Sequence, residues 1–369
     1  MNHTEPQKID DEIESTPEAT TTPTEAKAHP ILAAWSKLGD LGPVFAEELP
    51  RRRWLLMRDK RGVLPLGKLG IFAAAGGAGK TMACIQLALA VATGRQWLGA
   101  IDVPAEGVGR VLLALGEEDA EEVRRRMYNA AKAMALTDDQ KRQALERIVV
   151  LPLAGTRVAL TQTEAKGADV ETAAAKALLE RMTKEGDDWR LVIFDPLARF
   201  AGPDAEKDNS AATRFVETAE GFCKLLGSPS VIIVHHSAQH ARGGDPSKAD
   251  PNRDASQVAR GATAITDGAR WVASLDTERT TIEAKELEQV VGFRVVKTNY
   301  GKPMYEPLML RYQDNHGGAL VALVPSDLER LEEDRVERAK TAKAAKAAKA
   351  AKNRQTTAQV NGRLLDEDT

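Results

Sequence analysis

Between residues 67 and 325, short apolar runs alternate with longer amphipathic stretches. The runs predict strands at 69–74, 110–116, 148–152, 190–195, 230–236, 270–275, 292–298, 305–311 and 319–323. The stretches predict helices near 80–93, 119–135, 137–146, 170–185, 210–226 and 256–267. Such alternation predicts an α/β fold, a mostly parallel twisted sheet with helices on both faces. No helix separates the last strands, so the sheet is expected to end in antiparallel strands. Asn315-His316-Gly317-Gly318 is the expected hairpin turn between two of them.

The flanks break this pattern. Residues 1–30 are rich in Thr, Glu and Pro and hold too few apolar side chains to offset ordering, so a disordered tail is expected. Residues 31–66 read as an arm or linker. Ile31-Leu32-Ala33-Ala34-Trp35 and Trp54-Leu55-Leu56-Met57 could pack on the core or on a neighbouring subunit, and Arg51-Arg52-Arg53 reads as a solvated basic patch. Residues 326–369 combine a helix with an Ala/Lys-rich basic tail. Lys340, Lys343, Lys346, Lys349 and Lys352 recur every three residues, so on a 3.6-residue helix they wind as a stripe and do not share one face.

Composition changes this picture little. The 369 residues carry a net charge of −3, which hides an acidic N-terminal end and a basic C-terminal one. Cys84 and Cys223 lie in apolar helical patterns and read as small hydrophobes of a reducing compartment. No run approaches a membrane span and no secretory pattern opens the chain, so a cytoplasmic location away from membranes is expected.

The chemistry enters at Ala74-Ala75-Gly76-Gly77-Ala78-Gly79-Lys80-Thr81, which joins a predicted strand to a predicted helix starting at Met82. That is the setting of a phosphate-binding loop. Gly76, Gly77, Ala78 and Gly79 let backbone N–H groups close around a triphosphate, and the helix N-terminus adds its positive end. Lys80 reaches the phosphates as a point charge, and Thr81 offers its hydroxyl to Mg²⁺. Ala74 stands where the strict pattern wants glycine.

Three later strand ends carry further candidates. Asp195 closes Leu191-Val192-Ile193-Phe194, where a P-loop NTPase places its magnesium-binding acid. Gly116-Glu117-Glu118-Asp119 follows another apolar strand. Glu118 is the expected base for the attacking water, with Glu117 as runner-up. Asp119 and Glu117 also suit a helix N-terminus. His235-His236 ends a third strand. Neighbours on a strand point to opposite faces, so the pair is ill suited to one metal, and His236 is the expected γ-phosphate sensor. The polar segment 238–254, with its glycines and cations, suits a loop gripping a phosphate backbone. Arg260 and Lys297 lie beyond the sensor strand as candidate cations for a neighbour's γ-phosphate.

These pieces, with VIFDPLARF (192–200), ASQVARGATAITDGARW (255–271), VVKTNYGKP (295–303) and DNHGGAL (314–320), resemble the RepA-type hexameric replicative helicases of plasmids over residues 69–323. The resemblance implies a RecA-like P-loop NTPase core that uses ATP and Mg²⁺, forms a homo-oligomeric ring, a hexamer, and moves on single-stranded DNA beside other replication proteins. It places the nucleotide-binding lysine at Lys80, the magnesium groups at Thr81 and Asp195, the catalytic glutamate at Glu118 and the sensor at His236. It also places the arginine acting in trans at Arg260 and a nucleotide-pocket arginine at Arg126, and it counts Met82 in the nucleotide-binding run. Two other readings share the pocket: an accessory ATPase without unwinding, and a nucleotide-dependent interaction protein that hydrolyses little.

Overall fold

The computed structural model describes residues 34–42, 44, 45, 49, 51–164, 169–202, 204, 205, 208–236, 263–283, 286–337, 339–341 and 343–345. The chain divides into two compact units, Met1–Arg51 and Arg52–Thr369. Within the described part of the first, Leu38–Leu41 form one 3-10 turn, closed by the Lys37 amide donating to an Asp40 carboxylate oxygen at 2.8 Å.

The second unit opens with a hairpin, β1 (Trp54–Arg58) and β2 (Arg61–Pro65). Asp59 and Lys60 turn it, both with positive φ. The strand β3 (Leu69–Ala74) and helix α1 (Lys80–Thr93) follow. Then come β4 (Arg110–Leu115), α2 (Ala120–Ala133), α3 (Asp138–Arg147) and β5 (Ile148–Pro152). A small ribbon, β6 (Thr161–Thr163) and β7 (Asp169–Glu171), precedes α4 (Ala173–Glu185) and β8 (Trp189–Asp195). After α5 (Leu197–Phe200) and α6 (Asn209–Phe222) come β9 (Ser230–His236) and α7 (Thr263–Gly268). The strands β10 (Trp271–Glu283), β11 (Glu286–Thr298), β12 (Met304–Gln313) and β13 (Ala319–Ala322) complete the sheet. Residues 325–337 are helical.

Nine strands form one sheet in the order β13-β12-β11-β10-β3-β9-β8-β4-β5. Pairing is parallel from β10 through β5 and antiparallel from β10 through β13. This is the α/β architecture that the strand–helix alternation predicts. Both faces of β3, β4, β8 and β9 are largely buried, so these strands feed two cores by alternation. Phe72 and Ala74 of β3 face one, while Leu69, Ile71 and Ala73 face the other. The first core takes in α1, residues of α2 and α3, and Leu55, Leu56 and Leu64 of the opening hairpin. The second takes in α4, α5 and α6.

Every residue of α1 except Thr81 is buried. An Ala/Leu-rich helix apolar all round needs cover on all sides. The sheet supplies one side and its far edge supplies another. The Gln86 amide donates to the Leu320 carbonyl of β13 and accepts from its N–H, both at 2.9 Å. Among the described residues no helix is long and apolar enough to cross a membrane.

Several boundaries depart from the sequence expectations. The hairpin β1–β2 and the ribbon β6–β7 carry no strong alternation and are found only here. The helix expected from 170 starts at Ala173, because residues 169–171 pair with Thr161–Thr163. Strands β10 and β11 pair from Trp271–Thr298 out to Glu283–Glu286, well beyond the apolar stretches that marked them. Of the helix expected at 256–267, residues 263–268 are helical and the earlier ones lie outside the described residues. So do the acidic tail 1–30, the loop 238–254 and the lysines from Lys346 onward. Cys84 is fully buried, whereas Cys223 ends α6 and is partly covered, its thiol pushed by burial up to about 12.

Candidate functional site: a phosphate loop facing three strand ends

Register across the sheet aligns the C-terminal ends of four parallel strands. Ala74 of β3 pairs with His236 of β9, Phe194 of β8 with Ile233 of β9, and Asp195 with Leu115 of β4. The carboxyl edge of a parallel sheet is where α/β proteins bind ligands. Here it gathers the loop 75–79, His236, Asp195 and the acidic turn 116–119.

Within the loop only Gly77 and Gly79 have left-handed backbones, at φ 78° and 84°. Ala74 is tolerated because it still belongs to the extended strand, where a methyl group costs nothing. Lys80 opens α1 and turns its ammonium back onto the loop. Nζ donates to the carbonyls of Ala74 and Ala75, each at 2.9 Å, and lies 3.2 Å from Nδ1 of His236. Burial lowers the Lys80 pKa, and the Asp195 carboxylate opposes that shift. His236 is exposed and faces this ammonium, while His235 is buried on the other face of the strand. Ala78 within the loop and Met82 in the first turn of α1 are buried. Gly76 and Gly77 are exposed at its crest.

Thr81 donates its hydroxyl to Oδ2 of Asp195 at 2.8 Å. Asp195 is 5% exposed. Burial raises its pKa, and the Thr81 hydrogen bond and the Lys80 charge pull it partly back. A hydroxyl and a carboxylate oxygen are hard donors suited to Mg²⁺, which keeps its remaining positions for water and phosphate oxygens. The donor set therefore fits Mg²⁺, with Thr81 and Asp195 as the residues that would hold it.

The three acids after β4 separate by role. Asp119 caps α2, accepting from the Glu122 amide at 2.8 Å. Glu117 is about half exposed and lies 3.7 Å from Arg199. Glu118 is 17% exposed and pairs with Arg126 at 3.0 Å. Burial raises the Glu118 pKa, and Arg126 is the strongest opposing influence. Gly116 holds the turn against β8: its amide donates to the Asp195 carbonyl at 2.7 Å, and a Cβ there would meet the Arg199 side chain at 2.7 Å. Arg126 also holds Glu122 at 2.8 Å, so its guanidinium bridges two carboxylates of this turn and helix.

Two cations from the sequence stand apart. Lys297 donates to the carbonyls of Thr266 and Asp267 at 2.7 and 3.2 Å, closing the end of α7. It pairs in register with Val272, at the sheet edge away from the phosphate loop. Arg260 lies outside the described residues. Arg52, from the basic run before β1, stacks its guanidinium 4.1 Å from the ring centre of Tyr300.

One contact escaped sequence reasoning. Tyr312 of β12 donates its hydroxyl to the Gly77 carbonyl at 3.2 Å. The two residues are 235 positions apart, and no local pattern marks the pair.

Residues 37–242 match a family model described as "AAA domain". Among solved structures, the KaiC-like protein PH0186 from the hyperthermophilic archaeon Pyrococcus horikoshii OT3 is similar at 14% identity and a TM-score of 0.40. That similarity covers 74% of this chain and 99% of the archaeal one.

Proposed function

This chain belongs to the AAA domain family of P-loop ATPases, and on that premise we propose that it is a ring-forming, ATP-driven motor on single-stranded DNA. The observation that carries the ATPase part is the convergence of Lys80, the Thr81–Asp195 pair and Glu118 at one sheet edge. Lys80 leaves the loop carbonyls to meet the β- and γ-phosphates. Bound with the nucleotide by Thr81 and Asp195, Mg²⁺ supplies charge neutralisation on the phosphate oxygens. Glu118 orients the attacking water and takes its proton as the bond from the γ-phosphorus to the bridging oxygen breaks, giving ADP and phosphate. His236, beside Lys80, senses the γ-phosphate and passes its loss to the segment 238–254.

The motor part rests on the order and spacing of the RepA-like motifs. In that reading Arg260 of a neighbouring subunit stabilises the charge on the transferring phosphoryl group. An arginine acting this way is worth roughly 10³–10⁵ in rate in GTPases. Turnover per subunit therefore rises steeply with protein concentration, and single-stranded DNA raises it further.

The test measures ATP turnover against protein concentration, with and without single-stranded DNA, and strand displacement on a forked duplex. Turnover that is independent of concentration and of DNA would sink the motor reading. Hydrolysis without displacement assigns the chain to accessory ATPases. Absence of turnover despite nucleotide binding assigns it to nucleotide-dependent interaction proteins.

A further inference from the structure

The antiparallel end of the sheet reaches back onto the phosphate loop. Tyr312 and Leu320 face each other as a cross-strand pair on β12 and β13. Both touch Gly79: a Cβ built there would lie 3.3 Å from Tyr312 Cε1 and 3.2 Å from Leu320 Cδ1. Leu320 is in turn fixed to α1 by the two-way hydrogen bond with Gln86. The Tyr312 hydroxyl then reaches the carbonyl of Gly77, the other left-handed glycine of the loop. The strands that make these contacts follow the segment 37–242 that the AAA domain family model covers.

That carbonyl belongs to the peptide unit joining Gly77 to Ala78. The unit is planar and trans, so its C=O and N–H point in opposite directions. Holding the Gly77 oxygen toward β12 holds the Ala78 N–H toward the inside of the loop. There it now donates to the Ala75 carbonyl at 3.3 Å, a long hydrogen bond that a phosphate oxygen can replace. A glycine-rich loop has little else to set its peptide planes, because glycine allows both signs of φ. Burial raises the Tyr312 pKa, so the phenol stays a donor at neutral pH.

We propose that Tyr312 is a positioning residue for the phosphate site: its hydroxyl orients the Gly77–Ala78 peptide so that the Ala78 N–H is ready for a nucleotide phosphate. This rests on the nucleotide-binding reading above. It adds a residue of the antiparallel strands to a site otherwise built from the parallel ones.

The test compares Mg·ADP affinity, by calorimetry on the full chain, for wild type, Tyr312→Phe and the remote control Tyr300→Phe. Wild-type binding checks the nucleotide reading by itself; without it that reading fails, and this inference with it. Given wild-type binding, Tyr312→Phe weakens Mg·ADP about three- to ten-fold, the worth of one hydrogen bond. The ATP KM rises by a similar factor with kcat little changed, the pattern of lost uniform binding. The melting temperature without nucleotide stays within about 2 °C, and Tyr300→Phe binds as wild type. Unchanged Mg·ADP affinity in Tyr312→Phe overturns the inference, as does an affinity loss accompanied by a larger fall in melting temperature.

Discussion

Thr81 and Asp195 meet through a 2.8 Å hydrogen bond, although they lie 114 positions apart in the chain. One opens the phosphate-loop helix and the other closes β8. They meet because β9 alone lies between β3 and β8, so both strands present their carboxyl ends to the same crevice. In the proposed function this pair would hold the divalent ion, at the expense of a buried carboxylate.

Replacing Asp195 by Asn separates those two consequences. Burial raises the Asp195 pKa, so the folded protein holds that proton more tightly than the unfolded chain. For an acid shifted this way, stability is lost as pH rises from the unfolded pKa through the folded one. Asn carries no charge and still offers Thr81 an acceptor oxygen. Asp195→Asn is therefore expected to be as stable as wild type at neutral pH, or more so, while Mg²⁺-dependent turnover falls at least a hundredfold. Thermal melting and a magnesium titration of ATPase rate check both halves.

Glu118 and Glu117 are adjacent, and only their surroundings distinguish them. Glu118 is mostly covered and held by Arg126, whereas Glu117 points to solvent near Arg199. Glu118→Gln should keep Mg·ATP binding and lower kcat by roughly a hundred- to ten-thousand-fold, the usual worth of a general base. Glu117→Gln should change kcat by less than about tenfold. Single-turnover hydrolysis by both variants decides the assignment, and the reverse ranking would transfer the role to Glu117.

The Arg126–Glu118 pair also predicts a pH effect. Burial raises the Glu118 pKa and the Arg126 charge holds it partly down. In the proposed role of Glu118 as base it works ionised, so kcat/KM is expected to fall on the acid side as Glu118 takes up a proton. Removing the positive charge favours the protonated acid, and Arg126→Gln is expected to move this acid limb to higher pH. A pH profile of kcat/KM for the two proteins tests the sign. A limb that stays put or moves to lower pH contradicts the pairing.

Local signals carried much of this site into view and global packing carried the rest. The span 80–93 was legible as a helix by its length and Ala/Leu-rich composition, and 69–74, 148–152 and 230–236 as strands because each is a short, mainly apolar run. Lys80, Thr81 and Asp195 stand where the local strand–loop–helix and strand–acid patterns put them, and the structure brings the three together. The hairpin Trp54–Pro65 was not, since Asp59 and Lys60 adopt positive φ without the glycine or asparagine that usually announces such a turn. The outer halves of β10 and β11 were hidden by mixed polar sequence such as Asp276-Thr277-Glu278-Arg279, which pairs through its backbone. Arg126 bridging Glu118 and Glu122, and Tyr312 on Gly77, depend on the course of α2 and of the sheet edge. The Arg126–Glu122 half of that bridge follows an i,i+4 helix spacing, whereas no local spacing encodes Tyr312 on Gly77.

The last prediction concerns the edge at which that sheet ends. Strand β13 has β12 on one side only, and its outward backbone groups need partners. Gln86 satisfies both polar groups of Leu320, and the Leu98 carbonyl accepts from the Ala322 N–H at 2.9 Å. Gln86 is 2% exposed, so water cannot take its place. Gln86→Leu fills a similar volume but strands a buried N–H and a buried C=O, each costing about 1–3 kcal/mol. The expected loss of stability is therefore about 2–6 kcal/mol, read as a lower midpoint in urea with an unchanged slope. Because β13 carries Leu320 onto Gly79, the same variant should also weaken nucleotide binding when assayed well below its melting temperature. A Gln86→Leu protein as stable as wild type would mean that β13 is not held by α1.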